Sequence, residues 1–261
     1  MDAYGPFATT RGVSPAIRAS SIVRVTSAAP PPGAPAPGGE RATARGDAAG
    51  SGGGAAEVRG DAAELVVRGP RLALRYATPA DAPRLLELAS DPLVTRFFSW
   101  GPYTSIEQPD AYIASLPARR AAGDLLEFVI VDGEDTPIGV TGLSELARRD
   151  RRATVGSWLG RAAWGTGANF ESKAMVAALA FEHLGVGRLT AWANTRNGRS
   201  QRALERVGFR REGVLRAWHR HGDEMHDVVI FALLRAAWED SALRAVAVTV
   251  EGAPPPAFVL A

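Results

Sequence analysis

Two glycines one residue apart, Gly165 and Gly167, separate a strand-like stretch, Val155-Gly156-Ser157-Trp158-Leu159, from a helical segment beginning at Phe170. Glycines at such a turn let successive backbone N–H groups point into one concavity. The helix start adds partial positive charge, so the turn is a cradle for a pyrophosphate that needs no side-chain cation. The same pattern also fits an ordinary turn. Two other phosphate loops are excluded by the residues themselves. Gly167 is followed by Ala168 and Asn169 rather than by Lys and Ser or Thr, and Phe170 stands where a dinucleotide fingerprint needs its third Gly or Ala. A second polar pair, Asn197 and Ser200, opens the helix after the next strand.

Other chemistries are absent by composition. The 261 residues contain no Cys, which removes disulfides, Cys-ligated metals and any thiol nucleophile. His219, His221 and His226 flank a turn, and a metal site would need them convergent with an open face, so they read as hairpin side chains and no metal is expected. Thirty basic residues face 28 acidic ones. The pI of about 9.4 reflects arginine, since Lys173 is the one lysine, and gives no case for nucleic acid. No window reaches the roughly 18 apolar residues of a membrane span, and the first 25 residues hold no apolar signal core, so a cytoplasmic protein without a membrane partner is expected.

The elements that would carry these residues alternate along the chain. Residues 30–54 hold five Pro and eight Gly and no Val, Ile, Leu, Met or aromatic residue, too little apolar area to offset ordering entropy. Residues 1–65 are therefore read as a disordered low-complexity segment, 66–240 as one domain and 241–261 as a loose tail with a possible edge strand at 246–250. Within the domain, strands are expected at 72–76, 125–131, 137–146, 153–159, 188–193, 209–218 and 225–234. Thr78 reads as an N-cap ahead of Pro79, and a weaker helix at 106–120 is interrupted near Pro117. Apolar positions 170, 174, 177, 181 and 184 mark a helical face ended by Gly185, and Ser200, Leu204 and Val207 line a short helix ended by Gly208. Runs of strands with single helix crossovers give an α/β fold, a mixed sheet with helices on both faces.

Four ordered blocks carry a resemblance: Leu-Arg-Tyr-Ala-Thr-Pro-Ala-Asp at 74–81, Trp-Gly-Thr-Gly-Ala-Asn-Phe-Glu-Ser-Lys at 164–173, Asn197 with Ser200, and Leu-Glu-Arg-Val-Gly-Phe-Arg-Arg-Glu-Gly at 204–213. At this spacing, from about residue 72 to 238, the chain resembles the GNAT (Gcn-five-related N-acetyltransferase) superfamily, in the branch of ribosomal-protein-alanine acetyltransferases. The resemblance implies a mostly antiparallel sheet splayed between its fourth and fifth strands, with acetyl-CoA wedged there as co-substrate. It implies that main-chain groups of Trp158 and Leu159 bond pantetheine. Amides of Trp164, Gly165, Thr166, Gly167, Ala168 and Asn169 would hold the pyrophosphate. Asn197 would fix pantetheine, and Ser200 would donate to the leaving thiolate. Arg199 and Arg202 are candidates for the 3′-phosphate, and Trp100 and Tyr103 for the acceptor pocket. The rings of Trp158 and Trp192 are expected in the core, and Glu171 to Lys173 on a solvated face from which Lys173 could reach a phosphate.

The departure from the family falls on the base. Many relatives carry Glu two residues before the Gly of the fourth strand, and this chain has Thr154. Glu145, or His219 or His221, is the substitute expected here, with Glu145 entered as catalytic beside Ser200. An α-amine with pKa about 7.7–8 is roughly one-tenth neutral at pH 7, a lysine amine only a few parts in about ten thousand. A weak base therefore favours a protein or peptide N-terminus as acceptor. The rivals are a small-amine enzyme for aminoglycosides or polyamines, favoured by a strongly acidic pocket around Glu127 and Glu145, and a non-catalytic acyl-CoA-binding module. A monomer or homodimer is expected.

Overall fold

A mixed nine-stranded sheet organises residues 64–260, the part of the chain that the computed structural model describes. The strands are β1 (Val66–Arg68), β2 (Ala73–Arg75), β3 (Leu125–Val131), β4 (Pro137–Ala147), β5 (Arg152–Leu159), β6 (Arg188–Asn194), β7 (Arg210–His221), β8 (Glu224–Leu234) and β9 (Thr249–Glu251). Their spatial order is β7-β8-β6-β5-β4-β3-β2-β1-β9, and every neighbouring pair is antiparallel except β5 with β6. That parallel pair is where the chain needs a helical crossover. The expected low-complexity segment lies outside the described residues except for Glu64 and Leu65, and Leu65 is buried in the core.

Helices cover both faces. On one side α1 (Ala82–Ala89), α2 (Pro92–Thr95) and α3 (Glu107–Ala122) bury Leu85, Leu88, Tyr112, Ile113 and Leu116 against Leu125, Val129 and Val140 of the sheet. On the other, α4 (Ala168–Ala178) runs into a wider turn through His183, and its small and apolar residues pack on Leu126, Phe128 and Ala153. Two further helices, α5 (Gly198–Arg206) and α6 (Arg235–Glu239), follow β6 and β8.

Two expectations are corrected. The helix at 106–120 is not interrupted at Pro117: α3 continues to Ala122. Proline removes one N–H, and the packing of Tyr112, Ile113 and Leu116 outweighs that local loss. Residues 241–260 are not a loose tail. β9 pairs with β1, Leu243, Phe258 and Leu260 enter the core, and the Leu260 amide bonds the Leu184 carbonyl at 2.9 Å. The apolar residues after the Pro254–Pro256 run were too few to show a period, yet Phe258 and Leu260 are buried while Val259 stays exposed.

Candidate active site

Strands β5 and β6 pair over three positions only: Arg152 with Arg188, Ala153 with Leu189 and Thr154 with Thr190. Beyond Thr154 they diverge, because β6 stays registered on β8 to Asn194 while β5 stays registered on β4 to Leu159. The sheet therefore splits, and a cavity of about 100 Å³ opens in the split. Gly156, Ser157 and Trp158 form one wall, Ala191 to Asn194 the other, with Asn197 and Ser200 at the start of α5. Nothing lies within 4 Å of the place where a Cβ on Gly156 would be, so the backbone there is open to a ligand.

The split leads to the glycine turn. Gly165 and Gly167 adopt φ of +78° and +91°, which L side chains rarely tolerate, and a Cβ on Gly165 would meet open space. The first amides of α4 have no intrahelical acceptors; of those expected to hold the pyrophosphate, the Ala168 amide donates to Thr166 Oγ1 at 3.3 Å and the Trp164 amide to the Arg161 carbonyl at 3.1 Å. Around it the chain is braced. The Trp164 indole donates to the Leu159 carbonyl at 2.8 Å, and the Arg199 guanidinium lies 3.2 Å over the Trp164 ring. Glu171 is buried, not solvated: its carboxylate accepts from the amides of Arg71 (2.6 Å) and Leu72 (2.8 Å) and from Arg71 Nε (3.0 Å). Three donors offset its desolvation. They also bring the exposed Arg71 guanidinium beside the turn, 3.3 Å from the Thr166 carbonyl, where it can meet a phosphate.

Four polar groups converge on the cavity. Asn197 Oδ1 caps α5 by accepting from the Ser200 amide at 3.1 Å, which leaves its amide nitrogen and the Ser200 hydroxyl for a ligand. Lys173 is also buried rather than solvated, with Nζ 2.5 Å from Ser157 Oγ, and burial pushes its amine down to about 8. Glu127 reaches the cavity from β3, is 3% exposed, and is pushed up to about 8 by burial.

The residues expected from the sequence divide accordingly. Trp158, Asn197 and Ser200 line the cavity, and Trp164, Gly165, Thr166, Gly167, Ala168 and Asn169 form the turn beside it. The Leu159 carbonyl is taken by Trp164. Arg202 is exposed on α5 and outside the cavity wall. Glu145 does not line the cavity; at a bulge in β4, with φ of +52°, it accepts from the Thr154 hydroxyl at 2.6 Å. Trp100 and Tyr103 are buried among Phe98 and Trp158, and the same loop brings Phe97 and Phe98 to the cavity instead. Large aromatic rings bury where apolar area is available, and the pattern Phe97-Phe98-Ser99-Trp100 does not tell which of them will. Arg71 lies outside every block that the sequence singles out, whereas Lys173 closes the 164–173 block and was expected on a solvated face within reach of a phosphate. Arg71 comes to α4 only through its tertiary contact with Glu171, which no local pattern shows.

A groove of about 530 Å³ adjoins the cavity, sharing Phe97, Phe98 and Asn194 with it. Its walls are the 92–102 loop and the β7–β8 hairpin, with Arg96, Arg196, His221, Glu224 and His226. His221 Nε2 lies 2.9 Å from His219 Nδ1, and Arg196 Nη2 lies 2.8 Å from His226 Nδ1. Burial, then the neighbouring His219, His226 and Arg196, holds His221 down at about 4. Among the described residues no group of His, Asp or Glu is arranged to hold a metal.

Comparison with known proteins agrees with this geometry. The sequence profile of the acetyltransferase (GNAT) domain matches residues 71–210. The N-acetyltransferase p20 of Bacillus licheniformis, itself uncharacterized, is 31% identical over 63% of this chain and 93% of its own length. YoaA of Bacillus subtilis (strain 168), also an uncharacterized N-acetyltransferase, is 30% identical over 65% and 97%. Among solved structures, a GCN5-related N-acetyltransferase from Brucella melitensis superposes with a TM-score of 0.62 at 21% identity, over 69% of this chain and 82% of that one. The microcin C7 self-immunity acetyltransferase MccE, solved with acetyl-CoA and AMP, superposes with a TM-score of 0.58 at 20% identity, over 63% and 93%. A split sheet, a glycine turn at a helix start, the family profile and the two Bacillus relatives lead to one conclusion: the chain belongs to the GNAT acetyltransferases and is an N-acetyltransferase.

Proposed function

We propose that the acceptor is the α-amine of a protein or peptide. The observation that carries this reading is the groove between the 92–102 loop and the β7–β8 hairpin, which meets the cavity at Phe97, Phe98 and Asn194. Acetyl-CoA entering along the glycine turn leaves that groove open to an extended chain from the other side. Charge argues against a polycation. The cavity pairs the acid Glu127 with the base Lys173, and the groove sets Glu224 against Arg96 and Arg196. Glu145, the second acid of the pocket that would favour a polyamine, is turned to Thr154.

In this reading the amides of the turn and Arg71 hold the diphosphate, Asn197 holds pantetheine, and Ser200 donates to the sulfur as the C–S bond breaks. That last bond strengthens only as charge develops, which is the kind of interaction that raises the chemical rate. Ser200→Ala is expected to lower kcat by about 10- to 1000-fold with little change in acetyl-CoA affinity. An unaltered kcat where chemistry limits turnover removes Ser200 from the mechanism. Acceptor class is tested by acetyl-CoA consumption with N-terminal peptides, lysine peptides, aminoglycosides and polyamines. Fastest turnover with a polyamine or aminoglycoside overturns the peptide reading.

A further inference from the structure

We infer that Glu127 is the general base of the transfer, in place of the carboxylate missing at position 154. The inference rests on the reading of an amine acceptor above. Its ground is the register of three strands. Glu127 lies opposite Gly142, and Gly142 lies opposite Gly156, so one row across β3, β4 and β5 carries a carboxylate followed by two positions with no side chain. Directly opposed residues project to the same face. The two glycines therefore clear a lane from the carboxylate to the split edge of β5, where the cavity lies. A Cβ on Gly142 would fall 2.8 Å from Glu127 Cα, so the lane closes if that glycine is replaced.

Glu127 Oε1 is buried without a hydrogen-bond partner among the described residues. A buried polar atom left unpaired costs about 1–3 kcal/mol and calls for an explanation. Proton exchange with a substrate in the cavity supplies one. Glu127 and Ser200 line the same cavity of about 100 Å³. An amine seated beside the carboxylate in that cavity would give up its proton directly or through a water. The other buried titratable groups of the layer over this face are Tyr103, Tyr112 and Asp81, and Asp81 is tied to Arg75 at 2.8 Å. Tyr103 is held protonated, by burial first and by the Glu127 charge second. Lys173 faces the cavity from α4, and Glu145 is engaged by Thr154. Burial alone pushes Glu127 up to about 8, a range suited to a base working near neutrality.

The step balances as follows. An acceptor ammonium gives one proton to the Glu127 carboxylate. The free amine attacks the thioester carbonyl, the C–N bond forms and the C–S bond breaks. The second nitrogen proton passes to the departing thiolate, which leaves as the thiol, and Glu127 returns its proton to solvent.

Glu127→Gln keeps the shape and tests the assignment. The pH dependence of kcat/KM is measured with two peptides whose amine pKa values differ by about two units. In the wild-type enzyme both acceptors should share a protein-borne limb. In Glu127→Gln that limb should vanish, with activity lowered about 100- to 10,000-fold and acetyl-CoA affinity changed less than about twofold. A limb that follows each acceptor's own pKa, or persists in Glu127→Gln, or is lost in Glu145→Gln instead, overturns the inference. If the wild-type enzyme binds acetyl-CoA and acetylates no amine, the acceptor reading fails. The carboxyl titration, followed by NMR with 13C-labelled glutamate, then decides Glu127. One resonance titrating well above the rest and absent in Glu127→Gln supports it, and no such resonance overturns it.

Discussion

At the scale of single residues, two buried ionisable side chains with opposite shifts face one cavity. Glu127 has a folded pKa of about 8 against about 4.3 in an unfolded chain. A raised folded pKa means the stability tied to this group is fully present below about pH 4.3 and is lost as pH climbs to about 8. Lys173 is lowered to about 8 against about 10.4 unfolded, so its burial costs most below about pH 8 and is relieved between there and about 10.4. Glu127→Gln should therefore gain stability relative to wild type as pH rises from about 5 to about 8. Urea unfolding at a series of pH values checks this, and a difference that stays flat contradicts it. Gly167 supports a different expectation. At φ of +91°, with a Cβ that would lie 3.1 Å from Arg71 Nη2, a valine strains the turn and crowds the guanidinium. Gly167→Val should weaken acetyl-CoA binding by about tenfold or more while the protein stays folded. Calorimetry showing wild-type affinity in the folded variant refutes the phosphate cradle.

At the scale of elements, the split between β5 and β6 is a consequence of register. Each strand keeps its antiparallel partner for its full length, and the parallel contact between them lasts three residues. The unpaired edge that results is what a ligand can use. The C-terminal segment matters in the same way. Phe258 sits in a short 3-10 turn, fully buried, and Arg148 donates to the Val259 carbonyl at 3.0 Å. Phe258→Ala should cost about 3–5 kcal/mol, read as a lowered midpoint in denaturant. A cost below about 1 kcal/mol would mean that this segment is an appendage.

For the whole molecule, the core closes within residues 65–260: Leu65 and Val67 near one end and Phe258 and Leu260 at the other lie in the same apolar cluster. Removing residues 1–62 is thus expected to leave the melting temperature and acetyl-CoA affinity as they are. A fall of more than about 5 °C, roughly 1–2 kcal/mol for a domain of this size, contradicts that boundary. The helices within 64–260 include none long and apolar enough to cross a membrane.

What was legible in the sequence was local. Short apolar runs bounded by turns marked β3 to β5, the 3–4 spacing from Phe170 marked the crossover helix, and glycine at 165 and 167 marked the turn before it, because each signal is read over a few neighbouring residues. Pairing across the sheet was not legible, since register depends on partners far apart in the chain. So Glu171 and Lys173, polar residues in the first turns of a helix, read as solvated, while contacts with Arg71, Leu72 and Ser157 bury both. Glu127 interrupts an apolar strand with no motif around it. Only the row it forms with Gly142 and Gly156 turns it toward the cavity. The sequence by itself determined the family, the strand and helix types and the phosphate turn, all set by short-range rules. Tertiary structure decided which aromatic rings face the ligand and which carboxylate stands buried and unpaired, because burial is a property of the assembled sheet.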